Sequence, residues 1–203
     1  MPLSDAVQAF ILNHILRTDT WAKPAATWFA LININKGRWT ATTAYIVGDF
    51  VVPNVLAGRA YKATAITTGN SGSSEPTWPT TDGGTVVDSG VTWTEQSLAF
   101  GAGTFPEVSG GSYARVQVTQ LDANWSAPTV GGSTANAGAL TYAPPTGNWG
   151  NIGFFPALTA NSGGTPLGWG ALTSLFTVNS GNPAPQFAIS ALSWQLRDTP
   201  AIS

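Results

Sequence analysis

Apolar residues recur at three- and four-residue spacing in one place along this chain, at Val7, Phe10, Ile11 and Ile15 with His14 in the same rhythm. That period predicts an amphipathic α-helix at the N-terminus. Ser4 stands where an N-cap belongs, Asp5 favours the positive end of the helix and Arg17 the negative end. The run from Thr18 to Pro24 then carries turn and breaker signals. Elsewhere the pattern is that of short strands. Residues 26–34 are rich in β-branched and aromatic side chains, 113–119 alternate as a half-buried strand does, and further strands are expected at 139–143, 149–155, 167–178 and 184–196. Asn179 to Pro183 forms a turn cluster, and Gly131-Gly132 and Gly163-Gly164 read as hairpin turns or loop tips. Short strands separated by Gly, Pro and Asn predict a mainly β fold: a β-sandwich or jelly-roll-like body with one N-terminal α-helix.

Between Trp39 and Trp93 the texture changes. Trp39, Tyr45, Tyr61, Trp78 and Trp93 are interleaved with turn residues, including Gly48-Asp49 and the run Ser71-Gly-Ser-Ser-Glu75-Pro-Thr-Trp78-Pro79. The chain therefore divides into a discontinuous body, residues 1–37 and 98–203, and a small all-β inserted module, residues 38–97.

Composition narrows the function. With 43% apolar residues in 203, the chain can bury a core. Only 9% of residues are charged, where about a quarter is usual, so the surface is neutral and rich in hydroxyls and amides. The net charge of −2 and the scattered cations argue against a nucleic-acid partner, which requires clustered lysine and arginine. Without cysteine there is no disulfide framework and no thiolate metal site. No run reaches the ~18 apolar residues of a membrane span, so no membrane insertion is expected. The opening Met1-Pro-Leu-Ser-Asp lacks the basic and apolar segments of a secretory signal, which predicts synthesis in the cytoplasm.

Candidate chemistry is sparse. Asp49, Glu75, Asp82, Asp88 and Glu95 put carboxylates in the module, but their spacing singles out no acid/base pair. His14 is the only histidine and sits on a packing helix, and the glycine runs lack the Gly-Lys-Ser/Thr ending of a phosphate loop. No catalytic, cofactor or metal site is expected, and the chain reads as non-enzymatic. The module's aromatics can offer flat faces to a pyranose and its acids can bind sugar hydroxyls; equally, a unit this small needs aromatics for its own core. Trp39, Glu75, Trp78 and Asp82 are the candidate contacts to a glycan or a neighbouring subunit. Phe10, Ile11 and Ile15 are the candidate assembly contacts.

Two resemblances rest on these residues. The helix, Trp28-Phe-Ala-Leu31, Ser109-Gly-Gly-Ser-Tyr113-Ala-Arg115 and Gly168-Trp-Gly-Ala-Leu172 together resemble small structural proteins of tailed bacteriophages, labelled tail fibre or minor tail proteins, some of which decorate the head. The module, through Trp39, Tyr45, Gly48, Asp49, Val51, Gly58, Tyr61, Pro76 and Trp78, is similar to the small tryptophan-rich carbohydrate-binding modules of chitinases and cellulases, in versions carried by phage virion proteins. They imply a surface-displayed virion protein, oligomeric, with other virion proteins as partners and a host surface polysaccharide as a further one. A capsid decoration or cement protein is the alternative, and a carbohydrate-binding accessory module a third.

Overall fold

Val7 and Ile11 are one turn apart, and the helix they anchor, α1 (Asp5–Leu16), lays both against the main core. The computed structural model describes residues 5–18, 20, 22–96, 104–129 and 132–195. The expected N-cap Ser4 and the Gly131 half of one expected turn lie outside them. The chain is mainly β, with antiparallel sheets and one α-helix among the described residues. In order the strands are β1 (Ala26–Phe29), β2 (Ile32–Asn33), β3 (Phe50–Val51), β4 (Tyr61–Ile66), β5 (Thr85–Asp88), β6 (Val91–Glu95), β7 (Val116–Thr119), β8 (Ser133–Ala135), β9 (Leu140–Thr141), β10 (Gly150–Leu158), β11 (Pro166–Val178), β12 (Gln186–Phe187) and β13 (Ser193–Gln195).

The main sheet runs β11-β10-β1-β7, with β2 also paired to β10. β10 lies between neighbours and is buried from Ile152 to Leu158, as expected of a strand covered on both faces. A second, four-stranded sheet runs β3-β4-β6-β5 and is built wholly from residues 50–95. Two small pairs, β12 with β9 and β13 with β8, close over the main core.

Two expected strands are interrupted. The 26–34 run breaks at Ala30-Leu31 because the Leu31 N–H donates to the Tyr113 hydroxyl (2.9 Å) rather than to a neighbouring strand. The 184–196 run breaks into β12 and β13. Between them Ser190 takes φ of 63°, and the buried Asn136 stitches the turn by donating to the Ala188 carbonyl (2.8 Å) and accepting from the Leu192 N–H (2.8 Å). An unpaired buried amide would be costly, so this side chain substitutes for the missing ladder.

Three apolar clusters are formed among the described residues. The largest, around Phe29, Leu31, Trp149, Ile152 and Phe155, underlies the main sheet. A second, of Trp39, Tyr45, Val51, Tyr61, Val91 and Trp93, fills the four-stranded unit. The third lies at the seam: Ile32, Ile34 and Phe154 pack with Phe50, Val52 and Ala60. Leu175 reaches this seam because β11 carries a large bulge, with Phe176 opposite Ile152 but Ala171 opposite Phe154, so residues 172–175 face Gly153 alone.

Candidate functional site

The loop from Glu75 to Pro79 is latched at both ends. The Glu75 carboxylate accepts hydrogen bonds from the Asn54 N–H (2.8 Å) and the Trp78 indole N–H (2.8 Å) on Oε1, and from the Asn54 side-chain amide (3.1 Å) on Oε2. Burial pushes this carboxyl up, but the bonds from Trp78 and Asn54 and the nearby Arg38 charge outweigh it and hold it below its ordinary value. At the other end the Tyr61 hydroxyl donates to the Pro79 carbonyl (2.8 Å). Trp78 lies tilted on Tyr61 at 4.3 Å between ring centres and meets Trp93 edge-on at 6.0 Å. The proline-bracketed tryptophan is therefore half-buried, with part of its ring facing solvent.

The other residues expected to touch a ligand are placed differently. Trp39 is 5% exposed and donates its indole N–H to Asp88 Oδ2 at 2.7 Å. Asp88 also accepts from Trp93 (3.1 Å) and from the Gly72 N–H (2.7 Å), so one buried carboxylate ties three segments together. With Tyr45, Tyr61 and Trp93 also buried, Trp39 fills the interior and shows no open ring face. Asp82 is exposed but paired with Arg59 at 2.8 Å; Arg59 continues to the fully buried Glu95 at 3.0 Å, and Glu95 accepts from the Gly83 N–H. Of the four candidates, Glu75 and Trp78 are brought into direct contact.

The two glycine-containing runs that carry the phage resemblance are structural devices. In Ser109-Gly-Gly-Ser-Tyr113-Ala-Arg115, residues Gly110, Gly111 and Ser112 all have positive φ (73°, 56° and 63°). At Gly111 a Cβ would lie 2.8 Å from the Gly147 backbone, and the Gly111 carbonyl accepts the Trp149 indole N–H at 3.0 Å. The sharp turn aims Tyr113 and Arg115 at one target. Arg115 forks onto Glu107 (2.8 and 2.6 Å) and donates to the Ala160 and Gly163 carbonyls of the β10–β11 hairpin, while Tyr113 donates to Glu107 at 2.9 Å. Burial, then the Glu107 charge, holds the Tyr113 phenol well above its ordinary value. In Gly168-Trp-Gly-Ala-Leu172, Trp169 packs edge-on against Phe154 at 6.0 Å, and Ala171 packs against the cluster of Ile34, Phe50 and Val52.

On α1, Phe10 and Ile15 are exposed at 40% and 69%, but Ile11 is half-buried against the chain's own core. Leu12 (57%) and Leu16 (73%) are exposed on the face opposite Val7 and Ile11. Their i, i+4 spacing makes a second apolar face beside the one that Val7 and Ile11 define, and a periodicity search for one apolar face does not mark it.

Among the described residues no group of His, Cys, Asp and Glu could hold a metal ion, and no helix is long and apolar enough to cross a membrane. What the fold and its clusters define is a rigid antiparallel β scaffold, braced by buried ion pairs and carboxylate-indole bonds. Residues 96–195 match the family of the podophage GP4 fiber I protein gp80. The match spans just under half of the chain, includes both glycine-rich runs and begins where β6 has ended. It supports a structural virion protein of the phage tail-fibre type. No curated protein matches the chain.

Proposed function

We propose that this chain is a non-enzymatic component of a phage tail fibre or minor tail structure, assembled through α1 and bearing residues 38–97 as an inserted unit that contacts neighbouring subunits. The observation that carries the assembly role is the second apolar face of the helix. A helix with apolar residues on two faces is normally covered on both, yet Leu12 and Leu16 lie 57% and 73% exposed. Covering them on another virion protein, or on a second copy, removes that apolar area from water, and many copies on a particle multiply a modest contact. The subunit-contact role of the inserted unit is supported by how its aromatics are used: Trp39, Tyr45, Tyr61 and Trp93 are spent on its own core, leaving a stiff block with the latched Glu75–Trp78 loop on its surface.

The test is incorporation. Leu12→Glu with Leu16→Glu changes only exposed positions and should leave the melting temperature of the purified chain within a few degrees. Virions produced with this variant should lose the protein by immunoblot, and gold-labelled antibody against the wild type should mark tails. Normal incorporation of the variant would remove the assembly role of α1, and label confined to heads would replace the tail assignment with a decoration role.

A further inference from the structure

A groove of about 710 Å³ opens on the body between β11 and the chain leading into β12. Its volume falls in the range of small-ligand sites, about 300–1,000 Å³. Ile152, Leu172 and Phe187 contribute apolar surface, and Phe176, half exposed, stands in its wall. Thr173 and Ser174, on the β11 bulge, and Asn182 and Gln186, on the facing segment, supply hydroxyls and amides. None of the lining residues carries a charge; the one phenol, Tyr142, donates to the Phe29 carbonyl and is held well above its ordinary pKa by burial.

We propose that this groove binds a neutral oligosaccharide. The lining matches that chemistry term by term. A pyranose has an apolar C–H face, which stacks on an aromatic ring such as Phe176, and an edge of hydroxyls, which exchange hydrogen bonds with Thr, Ser, Asn and Gln side chains. A sugar without carboxylate, sulfate or phosphate meets no unpaired charge here, whereas an anionic one would lose hydration and find no cation in return. An extended peptide is the competing occupant, because β11 is the edge of the main sheet. Strand addition requires a regular row of backbone donors and acceptors, and the bulge at residues 172–175 interrupts that row where it borders the groove. The same bulge places Thr173 on the groove alone and Ser174 between the groove and the small void at the seam. The site lies on β11 and the β12 approach, apart from the Glu75–Trp78 loop, and it does not depend on the assembly role of α1.

The experiment uses the purified full chain on an array of immobilised glycans: neutral oligosaccharides built from glucose, galactose, mannose or N-acetylglucosamine, anionic ones carrying uronate or sialate, and a set of extended peptides. Binding to at least one neutral oligosaccharide is expected. Phe176→Ala should weaken it by about fivefold or more, the scale of one lost stacking contact. Thr173→Arg, which places bulk and charge at an exposed position that borders only the groove, should abolish it; both variants should keep the wild-type melting temperature. No retention on any neutral glycan would overturn the proposal, as would retention on peptides or anionic glycans alone. So would binding that survives both groove variants but is lost in Trp78→Ala, which would move the site to the Glu75–Trp78 loop.

Discussion

Replacing Arg115 by alanine should cost about 2–4 kcal/mol of folding stability. Four hydrogen bonds end on this guanidinium: two on the Glu107 carboxylate, at 2.8 and 2.6 Å, and two on the Ala160 and Gly163 carbonyls, at 2.7 and 2.8 Å. The Arg115 side chain is 7% exposed and that of Glu107 23%. Breaking a buried ion pair from one side costs about 3–5 kcal/mol, because the remaining charge is left without compensation. Two features lower the figure here. Glu107 keeps the Tyr113 hydroxyl and is reached by water, and the Gly163 carbonyl sits on an exposed hairpin tip where solvent can replace the guanidinium. The assay is urea unfolding at neutral pH, followed by tryptophan fluorescence, with the m-value checked so that a shifted midpoint reports stability alone. Tyr113→Phe is the companion variant. It removes a donor to Glu107 and leaves the buried Leu31 N–H without its acceptor, at a cost of about 1–3 kcal/mol. Since both residues act on one Glu107 oxygen, the double variant should depart from additivity by about 0.5 kcal/mol or more. A loss below about 1 kcal/mol for Arg115→Ala, or strict additivity of the pair, would refute the view that the motif acts as one clamp.

Gly111→Ala should destabilise by about 3–5 kcal/mol, since left-handed strain adds to a backbone collision with Gly147, while Gly110→Ala, with similar φ but open space, should cost only about 1 kcal/mol. Equal effects at the two positions, in the same urea assay, would show that φ alone sets the cost. Alkaline pH should weaken the fold through its tyrosines. Burial, and then the Glu95 charge, pushes the Tyr61 phenol up to about 12 against 10.0 unfolded, so the stability it contributes is complete below pH 10 and lost as pH rises toward 12. By linkage the loss from Tyr61 is about 2–3 kcal/mol. At pH 10 the native wild-type and Tyr61→Phe proteins should show the same phenolate absorbance at 295 nm, and a wild-type signal that Tyr61→Phe removes would sink the argument.

How far the fold was legible depends on whether a residue's role is local. Helix α1 and the β character of the other described elements follow from periodicity, and turn clusters such as Asn179–Pro183 follow from backbone preference; both are readable in the sequence. The break at Leu31 was not, because it is made by a tyrosine 82 positions away, and the break before Leu192 is made by Asn136, 56 positions away. Nothing in a local window marks either side chain as the substitute for a ladder hydrogen bond. The same limit applies to the candidate site. Glu75 and Trp78 are three residues apart and their pairing is local. The sequence leaves Trp39 open between a ligand contact and the core, and its buried place is set by Asp88, 49 residues on, which accepts its N–H. The groove was invisible in the sequence because its two walls, β11 and the approach to β12, become neighbours only in the folded chain.

One irregularity, the β11 bulge, shapes both sides of this part of the molecule. Four residues facing Gly153 alone cannot all lie in the pleat, so the strand must turn some of them out of the sheet. Leu175 goes to the seam. There it closes over Gly153, where a Cβ would meet Ile34 at 2.9 Å and Leu175 at 3.1 Å, and it packs beside Val52 and Leu56 with a residual void of only about 10 Å³. Thr173, by contrast, lines only the groove. Glycine at 153 is thus required where Ile34 and Leu175 close over it beside Val52 and Leu56, while the excursion opposite it furnishes the polar rim on the other side. An insertion that pressed on Leu175 would be felt at the groove, because cores this tightly packed shift as units rather than yield locally.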